Sequence, residues 1–98
     1  MSVKVDLNHD QFQHDWFALP KDQQLAILAT CRKIKSLTWE QLYRDKGLRW
    51  EAIKTRTADD GSRLFSIRLT VKMRAIVRRK GEYLEFLSLH ADHDSAYD

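Results

Sequence analysis

The stretch Phe65-Ser66-Ile67-Arg68-Leu69-Thr70-Val71-Lys72-Met73-Arg74-Ala75-Ile76-Val77 decides the fold. Successive side chains of a strand point to opposite faces, so Phe65, Ile67 and Leu69 fall on one side and Ser66, Arg68 and Thr70 on the other. Met73, Ala75 and Val77 repeat the pattern beside Arg74, Ile76 and Arg78. After a turn at Arg79-Lys80-Gly81-Glu82, residues 83–90 carry apolar side chains on both faces, Leu84 and Phe86 on one and Leu87 and Leu89 on the other. That is the pattern of a central strand. Asp59-Asp60-Gly61-Ser62 reads as a loop, with room for a short strand over residues 52–55 before it.

Upstream the period changes. Asn8-His9-Asp10-Gln11 and Thr38-Trp39-Glu40-Gln41 both read as capping boxes, with Leu7/Phe12 and Leu37/Leu42 as hydrophobic staples across them. Pro20 suits the first turn of a further helix, in which Ile27, Cys31 and Ile34 are spaced to bury one face. Gly47 is expected to end the helix that starts at Trp39, and Val3-Lys4-Val5-Asp6-Leu7 alternates like a strand. Helices followed by strands predict an α+β fold, an antiparallel sheet with two or three N-terminal helices packed on one face. Residues 1–98 are expected to form one domain.

The composition, 43% hydrophobic and 32% charged, is that of a globular chain and argues against disorder. The longest apolar run, Leu25 to Ala29, is five residues, far short of a membrane span. The opening Met-Ser-Val-Lys-Val-Asp has no signal-peptide core, and a lone Cys31 can form no internal disulfide, so a cytoplasmic protein is expected. The net charge of +3 hides an asymmetry. Residues 44–80 hold twelve Lys/Arg against four acidic residues, a net of +8, and the remainder holds five against ten, a net of −5. A basic strip in an acidic frame is an electrostatic argument for a polyanionic partner.

If Phe65, Ile67 and Leu69 pack against the helices, Arg68 and Arg74 project from the opposite, open face of the sheet. Two guanidinium forks on neighbouring strands could clamp a phosphate. The competing reading is a pair of solvated arginines that keep an exposed sheet soluble.

The segment Ser66 to Val77, followed by a turn, an apolar strand and a terminal His-Asp-Ser-Ala-Tyr, resembles the RelE/ParE superfamily of bacterial toxin–antitoxin toxins. The resemblance covers about residues 50–97 and is architectural over the first half. It implies a RelE-like fold with a basic concave face, a cognate antitoxin as partner, and a homodimer as an open question. In the RelE and YoeB branches the face enters the ribosome and cuts mRNA, and in the ParE branch the toxin poisons DNA gyrase.

Trp50-Glu51-Ala52-Ile53-Lys54 looks like the Glu-Pro-Leu-Lys of YoeB-like toxins, which places Glu51 on their catalytic glutamate. The five residues between Arg68 and Arg74 equal the YoeB spacing of two active-site arginines. YoeB-like chains end in adjacent His and Tyr. Here three residues separate His93 from Tyr97, with His90 as the alternative acid. The YoeB branch is therefore the closer match, with mRNA and the ribosome as the implied partners.

Metal-free RNA cleavage uses the ribose 2′-OH as nucleophile on its own phosphate. It needs a base, donors for the phosphoryl oxygens and an acid for the departing 5′ oxygen. The resemblance assigns Glu51 as base, Arg68 and Arg74 as phosphate donors, His93 or His90 as acid, and Tyr97 to stacking or proton supply. Lys54, Lys72, Arg78 and Arg79 become RNA backbone contacts, each of which could equally be ordinary surface charge. No cofactor or metal is implied. His90-Ala91-Asp92-His93-Asp94 has metal-binding residue types, but its distant partners are limited to His9 and His14. A gyrase inhibitor and an inactive homologue that only binds an antitoxin are the rival functions. Trp16, Trp39 and Trp50 read as helix-face packing residues, one of which could line an antitoxin groove, and Cys31 reads as core.

Overall fold

The structure, a computed structural model, describes residues 2–91. In chain order it contains β1 (Lys4–Asp6), α1 (Asp10–Phe17), α2 (Lys21–Lys35), α3 (Trp39–Arg44), β2 (Glu51–Thr57), β3 (Arg63–Arg68), β4 (Met73–Lys80) and β5 (Tyr83–Ala91). The five strands form one sheet in the order β1-β5-β4-β3-β2. Strands β2 to β5 pair antiparallel as expected, whereas β1 pairs parallel to β5, so the sheet is mixed. Among the described residues no helix is long and apolar enough to cross a membrane.

The helices cover one face. Phe12 of α1, Ile27, Cys31 and Ile34 of α2, and Leu42 of α3 are buried against Ile67, Ala75, Val77, Leu84 and Phe86 of the sheet. Phe12 meets Phe86 edge-on with ring centroids 5.4 Å apart. The Thr30 hydroxyl of α2 donates to the Leu69 carbonyl at 2.6 Å and pins the helix to the end of β3. Burial pushes the Cys31 thiol up to about 12, so it is an inert core group.

Helix ends depart from the expectations in three places. The Thr38 capping box is complete, with Gln41 N–H donating to Thr38 Oγ1 and Thr38 N–H to Gln41 Oε1. The first box does not form. His9, not Asn8, is the N-cap of α1, and the Asn8 N–H turns back to Asp6 Oδ1. Pro20 is the N-cap of α2 rather than a residue of its first turn. Gly47 does not terminate α3, which ends at Arg44 with Asp45 in extended backbone as its C-cap. The Asp45 carboxylate then organises the connection, accepting from Leu48 N–H and pairing with Lys33 Nζ at 2.9 Å. The Lys33 bond holds the Asp45 carboxyl below its usual range.

The opposite sheet face is less open than the alternation implies. Ile53, Leu64 and Ile76 form a second small core there, with Ala58 and Leu87 packed on it. Arg74 is only 4% exposed, not solvated. The doubly apolar pattern of β5 also has a different cause from the one expected. Val77 pairs with Phe86 but Ile76 pairs with Ser88, so Leu87 is an extra residue, a β-bulge. The bulge reverses the alternation: Leu84, Phe86 and Leu89 all join the helix-side core, and Leu87 packs on the other side.

Candidate functional site

Strand register brings the polar residues together on the face away from the helices. Arg68 of β3 stands opposite Arg74 of β4, which stands opposite His90 of β5. One pleat away, Glu51 of β2, Ser66, Ile76 and Ser88 form a second row. Residues directly opposite one another have Cβ atoms about 5 Å apart. Two residues along a strand advance about 6.6 Å, so the two rows are neighbours.

Arg74 is the fixed point. Its Nη2 donates to Ser66 Oγ at 2.7 Å and to the Arg49 carbonyl at 3.3 Å, and lies 3.9 Å from Glu51 Oε1. Ser66 is itself fully buried. The Arg49 carbonyl is aimed there by an unusual backbone, φ 50°, in the left-handed region that a non-glycine residue seldom adopts. Two backbone bonds hold that turn, Arg49 N–H to the Asp45 carbonyl and Arg68 N–H to the Leu48 carbonyl. The Arg49 guanidinium also reaches Glu51 Oε1 at 3.6 Å. Glu51 is 43% exposed, so its carboxylate stands at the mouth of the arginine pair and open to solvent.

His90 is half-buried and its Nε2 lies 2.9 Å from Ser88 Oγ. Burial depresses its pKa, the charge of Arg56 adds to the effect, and Asp15 opposes it. The ring is therefore neutral near pH 7 and can accept a proton.

Of the residues singled out from the sequence, Glu51, Arg68, Arg74 and His90 share this face. His93 and Tyr97 lie outside the described residues. Lys54 and Lys72 are exposed, on β2 and in the turn before β4 respectively. Arg78 is engaged: its Nε donates to Glu85 Oε1 at 2.5 Å and its Nη1 lies 3.3 Å from Asp60 Oδ2. The Glu85 bond raises its pKa further above the usual range. Arg79 packs with the helix-side groups, with its guanidinium 4.1 Å from the Trp39 ring centre and Nη1 donating to Tyr43 OH.

Sequence reasoning missed Ser66, Ser88 and Arg49. Ser66 was within reach, since the alternation already puts it on the face of Arg68. Ser88 was hidden by the bulge, and the Arg49 carbonyl by a backbone conformation that no side-chain pattern reports. Among the described residues no cluster of three or more His, Cys, Asp or Glu could hold a metal ion.

No protein-family model and no curated protein matches the chain. Solved structures do. A chain of the archaeal RelE–RelB complex from Pyrococcus horikoshii aligns over 93% of this chain and 96% of its own, at 22% identity and a TM-score of 0.62. The YoeB dimer from Staphylococcus aureus aligns over 90% and 94%, at 11% identity and a TM-score of 0.54. A copper-bound mutant toxin from Helicobacter pylori aligns over 92% and 94%, at 17% identity and a TM-score of 0.53. The chain therefore has the α+β fold of RelE- and YoeB-type toxins.

Proposed function

We propose that the protein is the toxin of a toxin–antitoxin pair and a metal-independent endoribonuclease that cuts mRNA on the ribosome. One observation carries this reading: Glu51, Arg68, Arg74 and His90 occupy two adjacent rows of one sheet face. The fold shared with RelE and YoeB supports it.

In the reaction the 2′ oxygen forms a bond to the adjacent phosphorus as the bond from phosphorus to the 5′ oxygen breaks. The products are a 2′,3′-cyclic phosphate and a 5′ hydroxyl. Arg74, held by Ser66 and the Arg49 carbonyl, is preorganised to meet the charge that builds on the phosphoryl oxygens, with Arg68 beside it. Glu51, partly exposed at the mouth of the pair, takes the proton of the 2′-OH. His93 or His90 returns a proton to the 5′ oxygen. His90 is neutral in the empty site, but a bound phosphate is an opposite charge that favours its protonated form, so substrate itself arms this acid. Tyr97 stacks on a base or supplies a proton.

The test is induced expression followed by mapping of mRNA ends. Growth arrest with mRNA cut at codons on stalled ribosomes is expected, together with a 10²- to 10⁴-fold slower cleavage, roughly, for Glu51→Gln. A similar loss in His93→Gln with His90→Gln silent assigns the acid to His93, and the reverse assigns it to His90. Gyrase-linked DNA breaks with intact mRNA would replace the nuclease by a ParE-like inhibitor. A cognate antitoxin is the expected partner, as RelB is for RelE in the archaeal complex.

A further inference from the structure

Next to the second row lies a cavity of about 460 Å³ that the reaction above does not use. Its origin is local. Strand β2 leaves its pairing between Ile53 and Thr57, and the chain then turns through Ala58 to Gly61, with Gly61 N–H bonded to the Ala58 carbonyl and Gly61 at φ 83°. That arch stands over the polar face of the sheet. The floor is apolar, made of Leu64, Ile76 and Leu87, the last delivered to this side by the bulge in β5. The rim is polar, with Arg56, Asp59, Asp60 and Ser88 among its residues.

We propose that this cavity is a nucleobase subsite for the RNA strand whose phosphate lies on Arg68 and Arg74, an inference that rests on the nuclease reading. Three features lead to it. The volume is in the range of sites that hold small organic groups, about 300 to 1,000 Å³. The cavity is continuous with the candidate site, because Ile76 and Ser88 line it and also stand in the row one pleat from Arg74 and His90. That offset is about 6.6 Å, within reach of a base attached to the clamped backbone.

The third feature is electrostatic. The end with Arg49, Arg68 and Arg74 suits phosphate, whereas the cavity rim sets Asp59 and Asp60 against Arg56 and Arg78, with Asp60 and Arg78 paired to each other. A flat, neutral group with both N–H donors and carbonyl acceptors fits an aliphatic floor and a charge-balanced polar rim, and that is a base.

The rim carboxylates differ in availability. Asp60 is committed, accepting from both Ser62 N–H and Ser62 Oγ and pairing with Arg78, and these bonds hold the arch in place. Ser62 bonding keeps its carboxyl below the usual range. Asp59 is exposed and has no hydrogen-bond or ion-pair partner among the described residues. It can accept from an exocyclic amino group, as acidic side chains do from cytosine N4. The subsite therefore prefers amino-bearing bases over uracil.

The experiment is a methyl NMR titration of the full chain with cytidine, uridine and abasic ribose 5′-monophosphates. The two nucleotides should shift the Leu64, Ile76 and Leu87 methyls, and ribose 5-phosphate should leave them in place. Cytidine monophosphate should bind about fivefold tighter than uridine monophosphate, the fold-change of one hydrogen bond. Asp59→Asn, at an exposed position, should level the two, because an amide also donates to the uracil oxygen. Equal shifts with ribose 5-phosphate, or unmoved methyls at millimolar nucleotide, overturn the subsite and leave the cavity to some other group. A preference that survives Asp59→Asn overturns the reading role of Asp59. No cleavage is needed for any of these readouts. RNA cutting with unmoved methyls therefore removes the subsite alone, and methyl shifts without cutting remove the nuclease alone.

Discussion

A guanidinium is easily kept in water and hard to bury, and Arg74 is buried with its donors placed on Ser66 and the Arg49 carbonyl. Such a group is a structural member and, on the proposed function, also a preorganised anion donor, so its removal should register twice. Arg74→Ala is expected to lower stability by about 1 to 3 kcal/mol, since Ser66 Oγ and the carbonyl lose that donor, and denaturant melts measure this. Cleavage of mRNA should fall further, by about 10²- to 10³-fold, when compared at a denaturant-free temperature well below the melt. Arg74→Lys should recover part of the stability and little of the rate, because an ammonium cannot present a planar fork. Full toxicity of either variant on induction would sink the assignment. His90 gives a second test. Its folded pKa lies below the unfolded value of about 6.5, so the unfolded chain binds more protons in the window between them. Its contribution is therefore harmless above about pH 6.5 and increasingly destabilising as pH falls toward the folded value. Urea midpoints compared at about pH 8 and about pH 5 should fall less in His90→Gln than in the parent.

At the scale of elements, what was legible followed from period and capping, and what was not followed from backbone events. The alternation of β3 and β4 was enough to put Arg68 and Arg74 on one face, and the Thr38 box was enough to start α3. The parallel seat of β1 beside β5 was not legible, because a three-residue strand carries no information about a partner nearly eighty residues away. Nor was the bulge at Leu87, which left two apolar pairs that read equally well as a flat central strand. Yet that one residue decides the site. Were Leu87 paired regularly instead of bulged out, the phase of β5 after Phe86 would reverse, sending Leu89 to the polar face and His90 toward the helices. Deleted outright, it leaves Ser88, Leu89 and His90 opposite their present partners on β4. Deletion of Leu87 should therefore cost about as much as Leu87→Ala, for which about 2 kcal/mol is expected at this half-buried position. Both variants should retain most of the cleavage, because His90 stays opposite Arg74 in each. Loss of cleavage in the deletion alone would show that His90 does not keep its place opposite Arg74 once the bulge is removed. Thr38→Ala, a pure capping change at the other end of the molecule, should cost about 1 kcal/mol and leave the rate alone.

Across the whole molecule the basic strip of residues 44–80 is divided by the fold rather than presented as one patch. Arg68 and Arg74 occupy the polar face, Arg49 stands at its edge beside Glu51, and Arg56 lines the neighbouring cavity. Arg78 is neutralised by Glu85 and Asp60, and Arg79 is stacked on Trp39 with the helix-side groups. A net charge of +8 thus overstates what a strand of RNA lying on the polar face can feel, and the four arginines named on that side set the better count. For single strands each phosphate neutralised contributes about −0.7 to the slope of log K against log salt. Three or four contacts predict a slope of about −2 to −3 for binding of a short RNA to a cleavage-dead Glu51→Gln protein. Arg56→Gln should make the slope shallower by about 0.7, while Arg79→Gln, on the opposite side of the sheet, should leave it unchanged. A slope that responds equally to both substitutions would mean that the nucleic acid wraps around both sides of the sheet, and the polar face would lose its standing as the RNA surface.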